Sequence, residues 1–274
     1  MGSSAYFEAI ERGDTETLSN LVTEQPDLLE ARTSPSYAPE RQLGCTGLHA
    51  AVHAGQPEAA RVLIEAGIDI EASTTEGRTA LHDSIEFGSH EIGDMLLERG
   101  ANVDICTAAI LGRVERVREL LDRDPELAND RSTELSPLGW ASFGNQVEIA
   151  RELIDRGARM DDGELLCAAS VGHVEVGRLL IERGADPNAI DPGAGGNALH
   201  TAVFMKYAHD SRPFIEMLLD AGVEIHTRTA KGKTALQIAE QRALEQDERL
   251  AKTPEEHRKP FGSVAALLRE AAGG

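Results

Sequence analysis

The chain has 274 residues, 41% hydrophobic and 27% charged, and its 47 Asp and Glu outnumber 27 Lys and Arg for a net charge of −20. That balance argues against nucleic acid, whose protein footprint is a basic stripe, and against an anionic membrane surface. It admits a basic partner, whose approach an acidic field speeds.

Helix-start signals stand, in chain order, near residues 4, 46, 79, 103, 136, 163, 197 and 234. Thr46-Gly-Leu-His-Ala-Ala returns 33 residues later as Thr79-Ala-Leu-His-Asp-Ser, and fainter versions follow. A period of that size signals a stack of helical units rather than one globular core. Thr46, Thr79, Ser136 and Thr234 are N-cap residues, able to accept an orphan backbone N–H. Pro137 takes the first helical position, where its missing N–H is harmless. Leu48, Leu81, Leu138, Leu199 and Leu236 follow and point inward. Small pairs such as Ala50-Ala51, Ala108-Ala109 and Ala168-Ala169 let neighbouring first helices approach closely. Gly55, Gly88, Gly112 and Gly172 break these helices in the left-handed conformation. A second amphipathic helix carries paired apolar residues, such as Leu63-Ile64, Leu96-Leu97 and Leu179-Leu180. It ends at Gly67, Gly100, Gly157, Gly184 or Gly222.

With Ala-Leu-His at 198–200 and Gly-Ala-Asp-Pro-Asn-Ala at 184–189 in register, the motifs resemble the ankyrin repeat family over nearly the whole chain. The resemblance implies an all-α solenoid of about eight helix-pair units joined by short outward β-hairpins. Hairpins and first helices of that family line a concave face. His49, His82 and His200 match the family's structural His, which hydrogen-bonds within and between units; buried polar groups are as a rule satisfied. Such a stack is one continuous domain, here with an N-terminal cap unit at 4–34, internal units over 46–228 and a C-terminal cap unit at 234–274.

Departures from the repeat predict an uneven row of hairpins. The spacings between starts are 42, 33, 24, 33, 27, 34 and 37 residues. The two short spacings remove the hairpins near 101–105 and 158–163, leaving tall fingers near 36–45, 128–135 and 190–197. Units one and four close with Gln25-Pro-Asp-Leu and Asp124-Pro-Glu-Leu in place of Gly-Ala-Asp. Unit seven gains four residues around Lys206–Arg212.

No apolar run approaches the roughly 18 residues that span a bilayer. No signal peptide precedes Tyr6. Met1-Gly2 opens like a myristoylation signal, but Tyr6 stands where Ser or Thr is needed. Cys45, Cys106 and Cys167 form no Cys-x-x-Cys or Cys/His cluster, so neither a disulfide frame nor a metal site is implied. These readings predict a cytoplasmic monomer with reduced thiols and no cofactor.

Residues at the fifth, eighth and ninth slots of each first helix form one stripe, since i, i+3 and i+4 share a helical face. The stripe reads Glu8/Glu11/Arg12, Ala50/His53/Ala54, Asp83/Glu86/Phe87, Thr107/Ile110/Leu111, Trp140/Phe143/Gly144, Cys167/Ser170/Val171, Thr201/Phe204/Met205 and Ile238/Gln241/Arg242. Its ends are charged or polar and its middle apolar and aromatic, the pattern of a binding surface. The candidate partner-binding residues are therefore Phe87, Ile110, Leu111, Trp140, Phe143, Phe204 and Met205, beside a polar corner of His53, Asp83 and Glu86. Packing of Trp140 as inter-unit core is the competing reading. The stripe predicts a scaffold that recognises a protein or peptide, without catalytic residues. The alternative is a small-molecule or catalytic pocket built from His53, Asp83, Glu86 and the aromatic strip, since an imidazole with two carboxylates suits acid–base work.

Overall fold

The helical periodicity becomes sixteen α-helices in consecutive pairs, with no strand among the described residues. The structure is a computed structural model that describes residues 2–33, 44–133, 135–161, 163–204, 210–249 and 261–273. The chain divides into two compact units, residues 1–107 with 130–134, and residues 108–129 with 135–274.

The first unit holds α1 (Gly2–Arg12) and α2 (Thr15–Glu24), α3 (Gly47–Ala54) and α4 (Pro57–Glu65), α5 (Ala80–Glu86) and α6 (His90–Glu98), and the first turn of α7 (Ile105–Ile110). Helix α1 packs on α3 and α3 on α5, while α2 packs on α4 and α4 on α6, so each unpaired apolar face finds its cover in the next pair. Leu48, Leu63, Leu81 and Leu96 are fully enclosed between the two layers. Each such side chain contributes about 1.5–3 kcal/mol by leaving water.

The Thr-x-x-His signature explains how the pairs are held in register. The Thr46 backbone N–H donates to His49 Nδ1 at 3.2 Å. On the other side of the ring, Nε2 lies 3.0 Å from the Arg78 carbonyl, which can only accept, so Nε2 carries the proton. Burial lowers the pKa of His49, against smaller upward pulls from Asp83 and the Arg78 carbonyl, and keeps the ring in this neutral form. His82 repeats the device, taking Thr79 on one side and Thr107 Oγ1, 3.0 Å away, on the other.

The second unit holds α8 (Val114–Arg123), α9 (Pro137–Phe143) and α10 (Val147–Asp155), α11 (Gly163–Val171) and α12 (Val174–Glu182), α13 (Ala198–Phe204) and α14 (Arg212–Asp220), and α15 (Ala235–Arg249) and α16 (Phe261–Gly273). The same two layers recur: α9, α11, α13 and α15 in one, α8, α10, α12, α14 and α16 in the other. Where the first unit uses Thr and His, α9 begins with Ser136, whose oxygen accepts the Gly139 N–H at 3.0 Å and whose hydroxyl donates to the buried Glu164 at 2.9 Å. Burial raises the pKa of Glu164, helped by the nearby Asp161 and against the opposing pull of the Ser136 hydrogen bond. The left-handed break after α9 falls on Asn145, with φ of 56°. Asn tolerates that conformation, and it releases Gly144, whose added Cβ would stand 2.9 Å from the Ile110 carbonyl.

Two expectations change. The connections form no hairpin ladder among the described residues: one isolated antiparallel bridge, Ser73 to Thr79, is all that forms. At 190–197 the chain makes a tight turn closed by Asp191 N–H to the Gly196 carbonyl at 2.7 Å. Of the finger expected at 128–135, residues 130–133 stay an irregular connection, and the first two residues belong to a 3-10 helix, Pro125–Asn129, which matches another at Pro26–Glu30. In both, a proline that needs no donor opens the turn, and Ala128 or Leu28 turns into the core. The finger expected at 36–45 falls mainly on 34–43, outside the described residues, as do 205–209 of the four-residue gain.

Candidate functional site

Helices α3 and α5 bring the polar corner together within the first unit. Asp83, only 2% exposed, sits in the first turn of α5. One of its oxygens takes His53 Nε2 at 2.7 Å and the other takes Arg78 Nε at 2.8 Å. Arg78, in the connection just before Thr79, also pairs with Glu86 on α5. Burial by itself pushes the Asp83 pKa up. The His53 hydrogen bond and the Arg78 charge outweigh it and hold the carboxyl below its ordinary value. A carboxylate stabilised in this way is a weak base. The corner is a closed network in which these groups face one another. Phe87, at the C-terminal end of α5, rests its ring 4.6 Å from the His53 ring and is 49% exposed.

The sequence missed Arg78. Two carboxylates on one buried helical face demand a counter-charge, and Arg78 is the nearest cation in the chain. That demand was the available signal. Among the described residues no group of three His, Cys, Asp or Glu forms a metal-binding cluster. Cys45 and Cys106 are buried thiols whose pKa values burial pushes up to about 11 and about 12.

In the second unit the stripe splits. Trp140, 1% exposed, and Ile110 are buried, so both leave the candidate contact surface and join the core. The helix that carries this indole, α9, packs against both α10 and α11. Phe143 is half-buried and meets Trp140 edge-on with ring centres 6.2 Å apart. Leu111 is also half-buried. Phe204, at the end of α13, is 47% exposed. Met205 lies outside the described residues.

Phe204 opens onto a cleft of about 360 Å³ bounded by the turns at 193–194 and 229–233 and by α15. Arg242 of α15 lays its guanidinium 4.4 Å over the Phe204 ring and 5.4 Å from the Phe261 ring. The stripe contained Arg242, but as part of a polar end; its stacking on two aromatic rings was not legible from helical spacing. Lys231 and Lys233 are exposed on the turn opposite.

No helix among the described residues is long and apolar enough to cross a membrane. A family model described as ankyrin repeats, in three copies, matches residues 6–106 and 105–191. The chain is 29% identical over 148 residues to a putative palmitoyltransferase ZDHHC13 of Danio rerio, and 32% identical over 106 residues to palmitoyltransferase ZDHHC13 of Homo sapiens. Those stretches take in 52% and 36% of this chain but 22% and 17% of the relatives. It is also 38% identical over 86 residues to ankyrin repeat and KH domain-containing protein 1 of Homo sapiens, which is 28% of this chain and 3% of that protein. The chain thus spans about a fifth of the transferases it resembles, and the activity in their names belongs to those proteins.

Proposed function

The chain belongs to the ankyrin-repeat family, and from that premise we propose that it is a recognition scaffold, binding a protein or peptide partner through exposed residues of its first helices. The observation that carries this reading is the exposure of Phe87 and Phe204. Each large aromatic ring stands about half in solvent at the end of a first helix, while other apolar stripe residues, Trp140 and Ile110 among them, are buried. Aromatic anchors of this kind carry a large share of binding energy at protein interfaces, about 2–4 kcal/mol for the strongest. Phe143 and Leu111 supply flanking apolar surface. The mutual pairing of His53, Asp83, Arg78 and Glu86 supports a scaffold over an acid–base site, because the groups that would do the chemistry are already spent on one another.

Charge divides the surface. Residues 1–200 hold 36 acidic and 16 basic side chains, and residues 201–274 hold 11 of each, so the whole net charge belongs to the first 200 positions. That excess supports a basic stretch in the partner where it meets the Phe87 end. The test is affinity capture with the intact chain beside a Phe87→Ala/Phe143→Ala/Phe204→Ala variant that keeps wild-type circular dichroism. The reading expects partners bound by the wild type and lost by the variant. Equal capture by both would remove these first-helix residues from consideration.

A further inference from the structure

The cleft beside Phe204 differs in sign from the rest of the molecule, and among the described residues its cations form no ion pair with a carboxylate. The five lysines of the chain all fall between 206 and 259, and two of them, Lys231 and Lys233, stand on the turn that walls the cleft. Lys233 is tied to Gln241 through its ammonium group, and Glu245 is the one carboxylate in the lining. Arg242 is positioned by the rings of Phe204 and Phe261, and among the described residues no acceptor takes its N–H groups. Burial lowers its pKa and the Glu245 charge only partly opposes this, so a second anion in the cleft would relieve an existing desolvation. A guanidinium stacked on aromatic faces keeps its in-plane donors free, and those donors match a carboxylate in bidentate geometry. The floor beside these cations is apolar, made by Phe204 and Ile238.

We propose that this cleft takes a short acidic peptide segment, seating one apolar side chain on Phe204 and Ile238 with flanking carboxylates on Arg242, Lys231 and Lys233. The proposal rests on the scaffold reading above and adds the chemical class of the ligand at this end of the chain. A volume of about 360 Å³ lies at the small end of ligand pockets, roughly 300–1,000 Å³, and suits one anchoring side chain rather than a folded domain. Three cations against one carboxylate select for acidic over basic sequences, because a like-charged partner must desolvate its ammonium groups without compensation.

The test is selection from a display library of randomised octapeptides on the full chain, in parallel with a Lys231→Glu/Lys233→Glu variant. Both lysines are exposed, so the variant keeps the fold. The proposal expects sequences in which Asp or Glu flanks an apolar residue. Synthesised and measured by fluorescence anisotropy, these peptides should bind the wild type at least tenfold more tightly than the variant and weaken as salt is raised. Phe204→Ala should lose them and Phe87→Ala should not. Basic or neutral sequences, no selected sequences, or equal affinity for the charge-reversed variant would overturn the acidic class. If neutral peptides emerge and still depend on Phe204, the acidic class falls while peptide recognition stands. If nothing depends on Phe204, peptide recognition at this end of the chain falls as well.

Discussion

The corner around Asp83 and the cleft around Arg242 use the same groups in opposite ways. In the corner, one guanidinium, one imidazole and two carboxylates close on one another behind a half-exposed phenylalanine. In the cleft, a guanidinium rests on two aromatic rings and faces solvent-exposed lysines with a single carboxylate nearby. A cluster of titratable residues is therefore a poor pointer to function by itself. The pointer is what remains unpaired after the internal pairs are drawn.

The largest expected effect separates the two regions by stability. Asp83→Ala leaves the buried Arg78 still paired with Glu86 but without the carboxylate that takes its Nε. Removing one partner of a buried pair costs about 3–5 kcal/mol, and the remaining Glu86 contact places this variant near the lower end. Urea denaturation measures it. Lys231→Ala in the cleft should shift the same transition by less than about 0.5 kcal/mol, as for an exposed side chain. Similar losses from the two would erase the distinction.

His82→Ala comes next, at about 1–3 kcal/mol, since the Thr79 N–H and Thr107 hydroxyl lose a buried partner. A variant with unchanged stability but lost partner binding would make His82 part of a site rather than a brace. Partner affinity follows. Phe204→Ala or Phe87→Ala should weaken partner binding at least tenfold, about 1.4 kcal/mol or more, with the thermal transition preserved.

Acidity sharpens the same contrast. Burial depresses the pKa of His49 below its ordinary 6.5, so its contribution is complete above that value and is lost as pH falls through the folded pKa. Asp83 is also depressed below 3.8, so its contribution is complete above that value and is lost as pH falls through its lower folded pKa. Wild-type thermal stability should thus decline in two stages on acidification, and Asp83→Asn should keep the first and show a smaller second, since Asp104 is also held below 3.8. A single shared stage in both proteins would contradict the ion-pair reading. The smallest effect belongs to Glu115, whose side chain is 86% exposed; its reversal to Lys should leave affinity unchanged in a binding titration.

The helix pairs, their caps and the bridging histidines were legible because each is a local spacing rule. Thr46 and His49 are three residues apart, and their bond needs no knowledge of the rest of the chain. Burial within the stripe was less legible. The fifth slot carries Asp83, Thr107, Trp140 and Ile238, all buried, whereas the eighth and ninth carry the exposed Phe204 and Phe87 but also the buried Ile110. Spacing places these slots on one face but does not say how far the neighbouring helix covers it. Arg78 and Glu164 were missed for a related reason: a charge enters the interior only when its partner is already there, and that partner stands on another helix or connection.

The most direct test pairs Asp83→Asn with Phe204→Ala and measures both melting temperature and affinity for a peptide selected on the wild-type chain, with binding read at a temperature where both variants are folded. The account predicts that Asp83→Asn melts several degrees lower yet binds as wild type, and that Phe204→Ala melts as wild type yet binds at least tenfold more weakly. Loss of binding in Asp83→Asn without loss of stability, together with intact binding in Phe204→Ala, would contradict it.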